Sequence, residues 1–215
     1  MGPVVSHMSR RRRNTFLLVV CAVWLVAAVA GLAAMHRYES TAGLSAPSPR
    51  QWPTPGDIAL DAHRHTLVMF VHPKCPCSAA SIEQLDRIVA LCGERVSIYV
   101  MAVMPEGGAA EGFDHTRTLA AAVAIPGVRL ITDRGGREAV RFGAETSGHV
   151  LLYGPDGALE FSGGITAARG HAGDNAACDA VVATINGTTP PPVIGLERRS
   201  AVFGCSLSDA PKGGE

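Results

Sequence analysis

Two cysteines one residue apart, Cys75 and Cys77, lie in the run His72-Pro73-Lys74-Cys75-Pro76-Cys77, between the apolar segment Thr66 to Val71 and a stretch with helical periodicity. A thiol at the first turn of a helix sits in the positive end of the helix dipole, which favours thiolate over thiol. A thiolate attacks disulfides and binds soft metal ions, so redox exchange is the leading chemistry and metal binding the second. His72, three residues before Cys75, adds thiolate character when it is protonated.

The pattern around the motif supplies a frame for it. Thr66 to Val71 (TLVMFV) is the short β-rich apolar run of a strand buried on both faces. Ser78 to Leu91 places Ile82, Leu85, Ile88 or Val89 and Leu91 at helical spacing, a helix with one apolar face, and Cys92-Gly93 stops it. Val96 to Val103 reads as a second buried strand, Phe113 to Ala124 as a helix ended by Pro126-Gly127, and Val128 to Thr132 as a third strand. Arg137 to Phe142 is a short helix. His149 to Tyr153 and Ala158 to Phe161 flank Gly154-Pro155-Asp156-Gly157, which predicts a hairpin, and Asp174 or Asn175 caps a helix through about Ile185. The order β, α, β, α, β, α, β, β, α predicts an α/β fold with a mixed sheet flanked by helices.

Charge is balanced, with 19 basic and 19 acidic residues, so no global field points to nucleic acid. Arg10 to Arg13 precede the uncharged run Phe16 to Met35, whose length at ~1.5 Å per residue covers the ~30 Å hydrocarbon core. The basic cluster favours the cytoplasmic side, which sends the rest of the chain across. Ala28-Val29-Ala30 allows a cleaved signal instead, but the apolar region of such signals is only ~7 to 15 residues. The sequence therefore divides into a cytoplasmic basic stretch 1–15, a transmembrane anchor 16–35, a Pro/Ser-rich linker 36–57, a folded domain 58–187 and an irregular tail 188–215. Trp52 in the linker docks on the domain or at the membrane interface, and Ala201 to Leu207 is apolar enough to pack back.

Outside the cytoplasm disulfides persist, so Cys92, Cys178 and Cys205 need not be ligands. Cys92, at the end of an amphipathic helix, is expected to be buried and inert. Cys178 and Cys205 are a candidate bridge that would pin the tail.

The cysteine motif at the end of the first core strand, with this element order, resembles the thioredoxin fold, and the anchor makes the chain similar to the TlpA/ResA-type thiol-disulfide oxidoreductases. His-Pro-x-Cys-Pro-Cys, Ser147-Gly148-His149-Val150-Leu151-Leu152-Tyr153 and Gly163-Gly164-Ile165-Thr166 with Arg169-Gly170-His171 resemble more closely the exported RedB-like thioredoxin-like proteins. The resemblance spans roughly Asp57 to Gly187. It implies a single-pass protein of the bacterial inner membrane with its domain outside the cytoplasm and no required cofactor. It implies partners that carry protein thiols or disulfides, such as an exported cytochrome or metalloprotein. It makes Cys75 the more exposed, attacking sulfur and Cys77 the resolving one. It brings the start of the fourth strand and the loop after the hairpin toward the motif, with His149, Arg169 and His171 as supporting residues.

Two departures stand out. The thioredoxin pattern separates its cysteines by two residues, and here Ser78 falls where the second should be, with Cys77 one place early. A Cys-x-Cys disulfide closes a small strained loop, which raises its potential and predicts an oxidising or isomerising poise. The proline that usually enters the fourth strand is also missing, the segment being Thr146-Ser147-Gly148-His149. Two further readings stay open. One is a Cu(I)-binding module using Cys75, Cys77 and His149, which the anchored Sco-type copper proteins make credible, and the other is a non-catalytic interaction domain.

Overall fold

The computed structural model describes residues 10–106, 116–189 and 199–208. The chain forms two units, 1–39 and 40–215. Up to Glu39, the first holds α1 (Arg10–Ser40), the one helix among the described residues long and apolar enough to cross a membrane. It contains the whole run 16–35, and no residue in it is buried.

The second unit is built on five strands, β1 (His65–Val71), β2 (Val96–Met104), β3 (Val128–Arg134), β4 (His149–Tyr153) and β5 (Leu159–Gly164), in the order β3-β2-β1-β4-β5. The first three run parallel, and β4 and β5 are antiparallel additions. β1 is central and buried on both faces from Thr66 to Val71, as a near-continuous apolar run requires. The helices are α2 (Ser78–Cys92), α3 (Arg117–Ala124), α4 (Arg137–Phe142) and α5 (Ala176–Ile185). The helix expected from Phe113 starts at Arg117 among the described residues, and residues 113–115 lie outside them. β5 runs three residues past the expected Phe161, because Gly163 and Gly164 pair with Val150 and His149 despite their poor strand propensity.

The two faces are covered differently. On one, Leu67, Met69 and Val71 meet Ile82, Leu85 and Ile88 of α2, Leu119 of α3 and Val181 of α5. On the other, the one helix that Val68, Phe70, Leu151 and Tyr153 meet among the described residues is the short α4, through Ala139 and Phe142. Trp52, Ile58 and Leu60, from the linker and the start of the folded domain, and Leu207 of the tail complete that layer. Trp52 stands edge-on to Phe142 and Tyr153 with centroids 5.3 and 5.2 Å away, contacts of roughly 0.5–1.5 kcal/mol each beyond simple burial. The Tyr153 hydroxyl donates to the Pro49 carbonyl at 3.0 Å, and Trp52 N–H to Gly157 O at 2.8 Å. Prolines forfeit donors but leave carbonyls free, so an extended Pro-rich segment can line an aromatic face.

Asn175, and not Asp174, caps α5: its Oδ1 accepts from Cys178 N at 2.9 Å while its Nδ2 donates to Ile165 O at 3.0 Å. Asn175→Ala is expected to lower stability by about 1 to 2 kcal/mol, since it removes the cap and a tie to the chain leaving β5. Denaturant unfolding of the two proteins side by side measures it; an unchanged midpoint contradicts it.

Candidate functional site: a three-thiol cluster

After Val71 the chain turns sharply. Cys75 N–H donates to His72 O at 3.0 Å and Ser78 N–H to Cys75 O at 3.2 Å. Pro73 and Pro76 have no N–H, so Cys75 and Ser78 supply these turn donors, and α2 then starts with Cys77 at its N-cap position. Ser147, on the approach to β4, ties the turn down: its Oγ accepts from His72 N–H at 2.8 Å and meets Ser78 Oγ at 2.7 Å.

The tail brings a third thiol. Cys205 Sγ lies 2.8 Å from Cys75 Sγ, and the sulfurs of Cys75, Cys77 and Cys205 all fall within 4.8 Å of one another. Backbone pairing sets this position. Ser147 N–H donates to Cys205 O and Leu207 N–H to Glu145 O, both at 2.8 Å, around an antiparallel bridge between Thr146 and Ser206. Val202 and Leu207 are buried alongside. The approach needs glycine at Gly163, where a Cβ would overlap the Ser200 backbone, and at two further points. A Cβ on Gly164 would stand 2.6 Å from the Ala201 carbonyl oxygen, and one on Gly204 would overlap the Ser147 carbonyl. Cys178 does not face Cys205 as expected of a bridge; it is fully buried in α5, where Cys92 is the neighbouring thiol. Burial pushes Cys178 up to about 11 and raises Cys92 as well, which leaves both as inert thiols at neutral pH.

Burial alone would push the Cys75 thiol up. The thiol and backbone N–H of Cys205, the Ser78 hydroxyl and the Cys77 N–H outweigh it, and Cys75 sits below the ordinary thiol range. Cys77 and Cys205 move the other way, raised first by burial and then by the negative charge on Cys75, with Arg169 partly offsetting the rise in both. One thiolate among three thiols is therefore favoured, and it belongs to Cys75. The order of exposure differs from expectation: Cys75 is only 2% exposed, against half-buried Cys77 and Cys205, because the tail packs Cys205 on it.

The supporting residues divide. Arg169 reaches the cluster, donating from Nη1 to the Gly204 carbonyl beside Cys205. His72 belongs to the turn through its backbone. His171 bonds through Nδ1 to Arg169 O at 2.8 Å and shapes the loop from an exposed position. His149 lies outside the three-thiol group. It pairs with Phe70, is 1% exposed, and its Nε2 meets Ser162 Oγ at 2.9 Å, itself 2.7 Å from Ser48 Oγ. Burial takes its pKa down to about 4, so it is neutral at pH 7. Sequence spacing missed Cys205, Ser147 and the hydrogen-bonding part of Ser78.

No family model matches the chain, and no curated protein matches it. Solved structures do match. An uncharacterized conserved protein from Geobacillus kaustophilus aligns with TM-score 0.55 at 17% identity, over 80% of this chain and 94% of its own. A hypothetical protein from Sinorhizobium meliloti 1021 aligns with TM-score 0.53 at 19% identity, over 78% and 93%. The exposed lipoprotein thioredoxin Etrx1 from Streptococcus pneumoniae aligns at TM-score 0.40 and 14% identity, over 59% and 86%. Likeness at such identities speaks for architecture alone, and this chain's own is three parallel strands with an antiparallel pair added beside the first. The fold is thioredoxin-like. In this thioredoxin-like frame the cysteine turn leaves the C-terminal end of the central strand, where loops converge and side chains from distant segments meet. The tail occupies the backbone pairing positions beside that turn, at Glu145 to Ser147.

Proposed function

We propose that the chain is a membrane-anchored extracytoplasmic thiol-disulfide oxidoreductase in which the Cys75 sulfur is the exchanging atom. The supporting observation is the stabilised Cys75 thiolate with two further thiols within 4.8 Å, a set able to form and break a disulfide without rebuilding the fold. Helix α1 is the anchor in the bacterial inner membrane, and Arg10 to Arg13 hold its start in the cytoplasm. Partners are protein thiols or disulfides, among them an exported cytochrome or metalloprotein.

The test is a titration of the metal-free protein across glutathione buffers, with thiols counted by alkylation and mass spectrometry. A reversible two-electron transition that includes Cys75 is expected. A Cys75 that stays a free thiol at every ratio removes the proposal.

A second reading rests on the same three sulfurs: Cys75, Cys77 and Cys205 form a soft set suited to Cu(I) as a cargo ion. Stoichiometric copper retained against a competing chelator, by a protein that shows no redox transition, would favour it.

A further inference from the structure

Cys75 has two candidate partners for a disulfide. Cys77 is a neighbour in sequence, but the single residue between them is Pro76, whose ring fixes φ and stiffens an already small loop. Cys205 is distant in sequence but lies 2.8 Å from Cys75 Sγ, where closing a bond to ~2.05 Å is a small displacement. That closeness is fixed by main chain. The tail is tied on both sides of Ser206 to Glu145 and Ser147, Arg169 holds the Gly204 carbonyl, and Gly204 lets the two backbones touch.

Exposure and hydrogen bonding then separate the roles of the two sulfurs. An incoming thiolate must reach one sulfur of a disulfide while the other departs as thiolate, and the better leaving group leaves faster. Cys75 is buried, and the Cys77 N–H, the Cys205 N–H and the Ser78 hydroxyl surround its sulfur as donors. Cys205 is half-buried and offers the accessible side of the pair.

We propose that Cys75 and Cys205 are the redox couple of this protein, that the oxidised form carries a Cys75–Cys205 disulfide, and that a partner dithiol is oxidised by attack at the Cys205 sulfur. The inference rests on the exchange reading above and names the second sulfur. A partner thiolate bonds to Cys205 Sγ, the Cys75–Cys205 bond breaks, and Cys75 leaves as the thiolate its donors hold. The partner's second thiol, as thiolate, then attacks the partner sulfur bonded to Cys205. Cys205 leaves and takes up a proton, and the partner departs as a disulfide. Two electrons pass from the partner dithiol to the protein. Exchange with a more oxidising disulfide runs the steps backward and restores the bond. Cys77 is a bystander thiol in this cycle.

The decisive experiment uses the full chain in detergent micelles, metal-free, oxidised with glutathione disulfide, alkylated and digested with trypsin. Cys75 and Cys77 fall on one tryptic peptide, Cys75 to Arg87, and Cys205 on another, Ser200 to Lys212. The expected product is these two peptides joined, with Cys77 alkylated. In parallel, Cys77→Ser keeps the two-electron transition, while Cys205→Ser loses it. A Cys75–Cys77 bond within the first peptide with Cys205 alkylated overturns the inference and leaves exchange standing, as does a Cys205→Ser protein that titrates like the parent. A Cys75 that forms no disulfide in any buffer overturns both.

Discussion

Cys75→Ser is expected to abolish exchange, with the rate of dithiol oxidation falling on the order of 10³-fold or more, to the uncatalysed background. The substitution removes the one sulfur whose surroundings favour its charge. A serine hydroxyl in the same place does not ionise near neutral pH and forms no disulfide, although Ser78, the Cys77 N–H and the Cys205 N–H still surround it. The change should be silent in the fold, since serine nearly matches cysteine in size and keeps hydrogen-bonding partners. A second readout has the opposite sign. Cys77 and Cys205 are raised first by burial and then by the charge on Cys75, so removing that charge brings both down and their alkylation at neutral pH should quicken. Faster labelling of Cys77 and Cys205 alongside lost turnover ties both effects to the Cys75 thiolate. Turnover retained within about tenfold would assign the chemistry to another sulfur.

The frame of this site was readable because each element carries its own local signal. The run TLVMFV is apolar without alternation, and its central strand is buried on both faces. Helix α2 keeps its apolar face at Ile82, Leu85 and Ile88, although Leu91, expected on it, is exposed and Cys92 is buried in its stead, and Gly154 to Gly157 makes the turn that folds β5 onto β4. The junction of β1 with α2 placed Cys75 and Cys77 together at a strand end, and their proximity needs no long-range information.

Cys205 carried no comparable signal. It is 130 residues from Cys75, and main-chain hydrogen bonds to Glu145 and Ser147, which any sequence can make, deliver it. The hint available was an apolar tail with glycine directly before the cysteine, and a bridge to Cys178 would have explained the same tail equally well. Composition marks residues 40–57 only as an extended, Pro-rich linker and carries no signal for where it packs. One aromatic anchor, Trp52, and the Pro49 carbonyl hold that stretch over Phe142 and Tyr153. Topology points His149 toward the thiols and gives the correct end of the sheet. Strand parity decides the face, and the pairing with Phe70 sets its ring on the side of Leu151 and Tyr153.

That buried imidazole gives the domain a pH-dependent stability. In the native state the pKa of His149 is about 4, set by burial, against 6.5 for the ordinary side chain. Between these values the unfolded chain holds a proton on His149 that the native state does not, so stability rises with pH across the window. The contribution is complete above pH 6.5 and is lost as pH falls toward 4, a difference of about 3 kcal/mol at 1.36 kcal/mol per pH unit. The ring geometry gives the cause. Nε2 is paired with Ser162, while buried Nδ1 has no hydrogen-bond partner among the described residues, so a second ring proton would place charge where nothing receives it. Glu138 works in the opposite sense. Burial raises its pKa, so its contribution is greatest at low pH and declines as pH rises, and the whole-protein profile mixes the two. The separating measurement is urea unfolding from pH 4 to 7 for the parent protein and His149→Gln. Glutamine can still hydrogen-bond to Ser162 but does not titrate, so the parent should lose about 3 kcal/mol more than the variant between pH 6.5 and 4. Parallel profiles would mean that His149 accepts its proton in the folded domain, and that the Ser48, Ser162 and His149 chain is open to solvent.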